Sequence, residues 1–397
     1  MWAPGITVLG AAAVIACIAW LWLYLAHGGF WKGDQKLRGQ QYGRRPAPRV
    51  TVVIPARNEA ASVGITVRGL LDQKYPGDIR IILVDDSSTD GTAGVARKAA
   101  KGDTRLTVIG NSPLPPGWAG KMWAVNTGLQ AVPEDTDYVL LTDADIRHDR
   151  MLLARLAAKM KTEGLVLASL MVRLNCETFW ERLLIPAFVY FFQKLYPFRR
   201  VNDPRNRLAA AAGGCMLIRA DVLRKIGGVS RIRNAIIDDC ALARELKKEG
   251  PIWLGLASRT VSLRRYERLD EIWDMVARTA YTQLRYSPLM LAGSVVGMLW
   301  LYVLPPVALV VGALTHDRFA VSGGLSTLSL MLASYLPTLR LYGRPFWEAA
   351  GLPVAGLLYG LMTLSSGYRH WRGRGGGWKG RTYGSAGPAG GQGGDAE

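Results

Sequence analysis

Cysteine and histidine are scarce: the 397 residues hold four of each. Cys17, Cys176, Cys215 and Cys240 are far apart and lack metal-ligand spacing, so they read as reduced thiols in a cytoplasmic setting. The scattered histidines argue against a His-rich metal site. Zinc-finger spacing and RNA-binding signatures are missing, which leaves nucleic acid without a recognisable reader. No Gly-rich basic loop follows the first strand, which counts against a nucleotidyltransferase. No charged pair lies within the long apolar runs, which counts against a transporter. Acidic residues are in deficit, 31 Asp+Glu against 49 Lys+Arg, for a formal net charge of +18. That excess suits an anionic membrane face or a phosphorylated ligand.

What is present begins with apolar length. Ile6 to Ala26 carries no charge, and about 20 apolar residues span a hydrocarbon core. The alternative is a cleaved signal peptide, but the segment has no basic n-region and no small-x-small site follows it. A retained anchor is expected. Lys32, Lys36, Arg38, Arg44, Arg45 and Arg49 follow it and should stay cytoplasmic, placing the N-terminus outside. Leu289 to Leu314 and Phe319 to Leu339 carry no charge, and Phe346 to Ser366 carries only Glu348; these read as three further spans. Pro305-Pro306 should kink the first, with neighbouring helices satisfying the freed carbonyls. One anchor plus three spans puts the tail outside, whereas Arg369, Arg372, Arg374, Lys379 and Arg381 argue that it stays inside. A re-entrant segment, or processing of the first, would reconcile the two. Phe179 to Phe198 and Arg264 to Tyr286 are amphipathic and aromatic, and are expected to lie in the membrane interface, a buried core helix being the rival for the first. Gly384 to Glu397 should be disordered.

Between these runs, strand and helix patterns alternate. Val50–Ile54, Ile79–Val84, Leu106–Ile109, Tyr138–Thr142 and Leu165–Ser169 read as strands. Glu59–Asp72 and Arg150–Lys161 read as helices. This order predicts an α/β fold with a mostly parallel sheet, whose ligands bind at the carboxyl ends of strands. Asp85, Asp86, Asp143 and Asp145 all fall at such ends. Asp143 and Asp145, in YVLLTDAD, can hold Mg²⁺ or Mn²⁺ against a diphosphate. Asp85 or Asp86 can accept from a base or ribose while Asp90 caps the next helix. In PARNE, which contains Pro55, Arg57 could meet a phosphate and Glu59 a nucleotide; alternatively Asn58 caps the helix and Glu59 complements its dipole. Lys121 stands near a helix N-terminus, where a cation is unfavourable; an anionic ligand there, the nucleotide sugar, would explain it, a surface lysine being the alternative. Gly213 and Gly214 allow close approach of a ligand, or tight packing under the sheet. Asp238 and Asp239 precede a helix; one can cap while the other serves as a general base.

Taken in order, VVIPARNEA, VDDSSTDGT, the Asp-Ala-Asp triplet and the later acidic pair resemble the family 2 glycosyltransferases, inverting enzymes of the GT-A fold (nucleotide-diphospho-sugar transferases). LPPGWAGKMWA, GGCMLIRADVL and IDDCALARELKKEG are similar to the bacterial hopene-associated members. The resemblance covers about Pro48 to Tyr286 and implies an anchor at 1–30, a GT-A domain at 48–286 with interfacial helices at about 176–200 and 265–286, spans at 287–368 and a basic then Gly-rich tail. It implies a membrane-bound, multi-pass hexosyltransferase whose catalytic domain is cytoplasmic at the bacterial inner membrane. A uridine diphosphate sugar would be the donor and Mg²⁺ or Mn²⁺ the cofactor. The acceptor would be a lipid, a hopanoid by the family's name or a polyprenyl phosphate otherwise; a non-catalytic membrane scaffold is the remaining alternative. Glu59 and Asp85 or Asp86 would meet the nucleoside, Asp143 and Asp145 the metal and diphosphate, and Asp239 would be the base, with Asp238 where many relatives carry Glu. Relatives carry Gln/Arg-x-x-Arg-Trp near the membrane; here Arg285 is in place, Tyr286 replaces Trp, and Gln283 is shifted by one, so a single transfer is expected.

Overall fold

The computed structural model describes residues 6–37, 39, 42 and 46–373, with the backbone alone of 377–378 and 381–382. Arg38, Arg44, Arg45, Arg374, Lys379 and the Gly384 to Glu397 stretch lie outside the described residues.

In chain order the main elements are α1 (Val8–Ala26), β1 (Val50–Ala56), α2 (Val63–Leu71), β2 (Ile79–Asp85), α3 (Thr92–Ala100), β3 (Leu106–Gly110), α4 (Gly120–Gln130), β4 (Tyr138–Leu141), β5 (Ile146–Arg147), α5 (Leu152–Glu163) and β6 (Leu167–Arg173). They continue with α6 (Phe179–Leu195), α7 (Phe198–Asn202), β7 (Met216–Arg219), α8 (Ala220–Lys225), α9 (Asp238–Lys247), β8 (Ile252–Ser262), α10 (Leu269–Ala277) and α11 (Ala280–Gln283). Last come α12 (Pro288–Met298), α13 (Leu304–Leu314), α14 (Arg318–Leu341) and α15 (Leu352–Trp371). Every strand expected from the sequence is present.

Eight strands form one sheet in the order β3-β2-β1-β4-β7-β6-β8-β5. β3, β2, β1 and β4 are mutually parallel, and β7 is antiparallel to β4 and β6. All seven residues of β1 are buried, because helices cover both faces; that is why it reads as a continuous apolar run. α4 crosses β1 and β2 so closely that a Cβ on Gly128 would stand 2.4 Å from Val53 Cγ1. Only glycine permits that approach, which seats the N-terminus of α4 over the strand ends.

α6 departs from the interfacial expectation. Its middle (Leu184, Ile185, Val189, Tyr190 and Phe191) is buried, and only ends such as Phe179 and Leu195 are exposed. The reason is cover from the apolar helices. Tyr190 Oη bonds Ser334 of α14 at 2.6 Å, and Tyr359 of α15 donates to the Leu184 carbonyl at 2.9 Å. The Lys194 ammonium turns inward and donates to Tyr302 Oη at 2.8 Å. α6 is thus a buried beam between sheet domain and helix bundle.

α1, the continuous helix α12 to α13, α14 and the segment ending in α15 are each long and apolar enough to cross a membrane. α1 packs a stripe of Gly10, Ala13, Ala16, Trp20 and Leu23 inward, at helical spacing. A π-turn at Leu299–Val303 joins α12 to α13 just before Pro305-Pro306. The Leu301 carbonyl therefore lacks both its i+4 and its i+5 backbone donor, since both are prolines. The Trp20 indole fills the gap, donating to Leu301 O at 2.8 Å. The expected satisfaction of a freed carbonyl by a neighbouring helix thus has a named donor.

Candidate active site

The carboxyl ends of β1 and β4 open onto one cleft, lined by Pro55, Lys121, Asp143, Gly213, Asp238 and Asp239 among others. Residues distant in sequence meet there because the strand order brings β4 beside β7, the strand that follows Gly213 and Gly214.

Lys121, in the first turn of α4, lies 3.0 Å from Asp143 Oδ1 and 3.3 Å from Asp238 Oδ2. Two carboxylates of the chain itself, rather than the ligand expected from sequence, pair with it here. Burial works against its charge, but Asp143, Asp238 and Asp239 outweigh it and hold the ammonium above the ordinary lysine value. Asp239 is fixed by backbone amides: Oδ2 accepts from Gly213 N at 3.0 Å and Oδ1 from Cys240 N at 2.7 Å. Burial, then the Asp238 charge, push its carboxyl above the usual range, while Lys121 and those amides oppose the shift. Gly213 keeps the backbone low here; a Cβ would stand 3.4 Å from Lys121 Nζ and 3.7 Å from Asp239 Oδ2. Gly214 serves packing instead, with Val172 Cγ2 at 3.0 Å from where its Cβ would be.

Asp143 and Asp145 lie in the loop between β4 and β5. Burial, then Asp143 and Glu59, push Asp145 above the usual carboxylate range. Among the described residues Asp145 forms no ion pair within 4.0 Å. A crowded acid of this kind, beside a second acid, suits a divalent cation. Asp145 O also accepts from Leu263 N at 2.7 Å, which ties the loop to the end of β8.

On the nucleotide side, Asp86 is 1% exposed and is engaged by Asn111 Nδ2 at 2.9 Å and by Arg57, whose Nη1 lies 3.5 Å from Oδ2 and 2.6 Å from the Asp86 carbonyl. Asp85 is half-buried at the open end of β2, its Oδ1 accepting from Ser88 N. Asp90 does not take the N-cap position of α3, which Gly91 holds; its Oδ1 accepts from Thr92 N and its Oδ2 from Ala60 N. Asn58 does not cap α2. It has φ +52°, and its side-chain oxygen accepts from Thr89 N, lacing the Arg57–Ala60 turn to the Ser87–Thr92 loop. The Glu59 amide joins the same lacing by donating to Thr92 Oγ1. Asn58 does not cap because α2 begins later than expected, at Val63 with Ser62 in the N-cap position, four residues beyond Asn58.

Arg285 and Tyr286 take consecutive left-handed conformations in the turn before α12. Tyr286 stacks on His370 at the end of α15, with centroids 4.6 Å apart. The structure does not bring it into the acid cluster. Gln283 is the link instead. Its amide exchanges hydrogen bonds of 2.7 and 3.0 Å with Tyr196 Oη, which stands beside the Cys240 thiol, next to Asp239.

Sequence reasoning missed two further residues. Thr142 Oγ1 donates to Gly214 O at 2.8 Å and meets His148 Nε2 at 3.1 Å. With its one proton on Gly214, the hydroxyl accepts from His148, which leaves Nδ1 buried and unprotonated. Burial pushes this imidazole down to about 3. The pair braces the Asp143 loop from behind. The only advance signal was a polar Thr ending an apolar strand.

Comparison with known proteins agrees with this geometry. Residues 51–227 match the family described as Glycosyl transferase family 2. A beta-monoglucosyldiacylglycerol synthase of Nostoc sp. is 24% identical over 311 residues, covering 72% of this chain and 63% of that protein, so the chain spans less than two thirds of that relative. A 4,4'-diaponeurosporenoate glycosyltransferase of Staphylococcus aureus is 34% identical over 97 residues, 24% of each chain. A mannosyltransferase from Pyrobaculum calidifontis, solved in complex with GDP-Man and Mn²⁺, has the same fold with a TM-score of 0.55 at 19% identity, covering 92% of this chain and 99% of that one. Residues 51–227 are thus similar to the glycosyl transferase family 2 domain, within a GT-A-like α/β fold continued by apolar helices that could span a membrane.

Proposed function

We propose that the chain transfers a sugar from a nucleoside-diphosphate sugar to a lipid hydroxyl at a membrane surface, with inversion. The observation that carries this reading is Lys121, which joins Asp143 on the donor side to Asp238 on the acceptor side. Asp85 lies where a nucleoside hydroxyl or base N–H would be read. Asp143 and Asp145 would hold Mg²⁺ or Mn²⁺, and the bound ion would offset charge on the departing diphosphate. Asp239, fixed by two amides, takes the proton of the acceptor hydroxyl. The acceptor oxygen then bonds the anomeric carbon from the face opposite the diphosphate, which leaves with the bonding electron pair.

The lipid acceptor is supported by the helices that could cross a membrane and by the names of the Nostoc and Staphylococcus relatives. We place the catalytic domain on the cytoplasmic side, from the basic residues after α1. A uridine diphosphate donor and a hopanoid acceptor are the specific choices that the resemblance suggests.

The test incubates detergent-purified protein with Mn²⁺, a panel of sugar nucleotides and bacterial lipid extract, and follows nucleoside diphosphate release and glycolipid by mass spectrometry. Asp239→Asn should lower turnover by about 100- to 10,000-fold, the usual worth of a general base. Asp143→Ala and chelation should abolish it, with Mn²⁺ or Mg²⁺ restoring the chelated enzyme. Unchanged turnover in Asp239→Asn would remove the base from the mechanism. The product's mass separates hopanoid, diacylglycerol and polyprenyl acceptors.

A further inference from the structure

Counting all four apolar helices as crossings puts the end of α15 on the face opposite the catalytic domain. The contacts of α15 argue otherwise. Its N-terminal flank is held by the sheet domain: Tyr342 stands against Leu174, just after β6, and a Cβ on Gly351 would lie 2.9 Å from Leu183 of α6. Its C-terminal flank returns to the same domain. The Ser366 hydroxyl donates to the Ala277 carbonyl of α10 and accepts from Tyr281 N of α11 at 3.0 Å. Arg369 pairs with Asp274 of α10 at 2.7 Å. α6, α10 and α11 all belong to the stretch between α1 and α12, which lies on one side of the membrane. A helix held at both ends by that stretch does not have its ends on opposite faces of a core about 30 Å thick.

The depth of α15 agrees. It runs antiparallel along α12, with Gly367 against Leu291, Gly360 against Met298 and Gly356 against Tyr302. Tyr302 is midway along the 27-residue Pro288–Leu314 helix, and α15 begins only one turn beyond that level. Its outer face is an apolar stripe at helical spacing: Val354, Leu357, Leu361, Leu364, Tyr368 and Trp371 are 36–58% exposed.

We propose that the segment ending in α15 is re-entrant. It enters from the catalytic side to about the level of Tyr302 and returns, its stripe facing the acyl chains of that leaflet, while α1, α12 with α13, and α14 make three crossings. The tail then lies beside the catalytic domain, and Arg369 and Arg372 fall on the same side as Lys32 and Lys36, as the positive-inside rule requires. This rests on the other three helices being crossings and not on the proposed activity.

The experiment uses the full chain in the membrane of a producing bacterium, with cysteines introduced as Thr315→Cys between α13 and α14, Arg340→Cys at the end of α14, and Ser385→Cys in the tail. A membrane-impermeant maleimide is applied to intact and permeabilised spheroplasts, and labelling is read over the wild-type background. Thr315→Cys should label in intact spheroplasts; the other two should label only after permeabilisation. Ser385→Cys labelling in intact spheroplasts while Arg340→Cys stays protected would show that α15 crosses. Protection of Thr315→Cys, or labelling of Arg340→Cys, in intact spheroplasts would overturn the three crossings. A fluorescent protein fused to the C-terminus checks the result without cysteines: fluorescence is expected, and a dark but full-length fusion would refute the proposal.

Discussion

The hydrogen bond from Trp20 to the Leu301 carbonyl predicts a coupling between two residues far apart in sequence. Pro305 and Pro306 deny that carbonyl its own helical donors, so Trp20→Phe leaves a partly buried acceptor unpaired. Orphaning a buried acceptor costs about 1–3 kcal/mol in water-soluble proteins. Interhelical bonds in membranes average nearer 0.6 kcal/mol, with a maximum of about 1.7. The expected term is therefore about 1 kcal/mol. Trp20→Phe also loses packing against Tyr302, whose ring meets the indole edge-on at 5.5 Å. A double-mutant cycle with Pro305→Ala separates the two effects. Alanine restores an N–H at position 305, the i+4 donor for Leu301 O, so Trp20→Phe should cost about 1 kcal/mol less in that background. The packing loss is common to both backgrounds and cancels. The assay is unfolding of the helix bundle in mixed detergent micelles on titration with SDS. Equal costs of Trp20→Phe in both backgrounds would show that the indole does not replace the missing donor, and the account of the kink would fail.

Three further outcomes follow from the geometry. Gly128→Ala forces a Cβ to within 2.4 Å of Val53, and should destabilise the sheet domain by about 1–3 kcal/mol, read as a lower melting temperature; an unchanged melting temperature would show that α4 can shift freely on the sheet. His148 has a depressed folded pKa, so its contribution to stability is fully present above 6.5, its unfolded value, and is lost as pH falls towards about 3. His148→Gln should therefore flatten the loss of melting temperature across that window, and parallel curves for the two proteins would refute the buried neutral ring. Gln283→Leu should lower turnover by about tenfold while leaving the donor KM unchanged, about 1.4 kcal/mol in the transition state, because it loosens Tyr196 beside Cys240 without touching the nucleotide side; a raised donor KM would place Gln283 elsewhere in the mechanism.

The alternating strands and helices were legible from sequence because each period is local. β1 reads as VTVVIPA since its two covered faces need apolar residues at every position. The apolar runs marked their helices by length alone, and Asp85, Asp143 and Asp239 stood out as acids at strand or helix ends. Tertiary structure alone decided what those acids touch. Strand order β3-β2-β1-β4-β7-β6-β8-β5 joins segments whose separation no local pattern encodes, so the Lys121 bridge, the amide from Gly213 to Asp239 and the Thr142–His148 brace were invisible in one dimension. The same holds for Asn58, whose type suited a cap, whereas α2 begins only at Val63 and the Asn58 side chain accepts from Thr89 of the neighbouring loop. It holds most for α6 and α15. Composition made one an interfacial helix and gave the other the length of a span, yet apolar composition reports only that water is excluded. Whether sheet, neighbouring helix or lipid excludes it depends on contacts far along the chain, such as Tyr190 with Ser334 and Arg369 with Asp274.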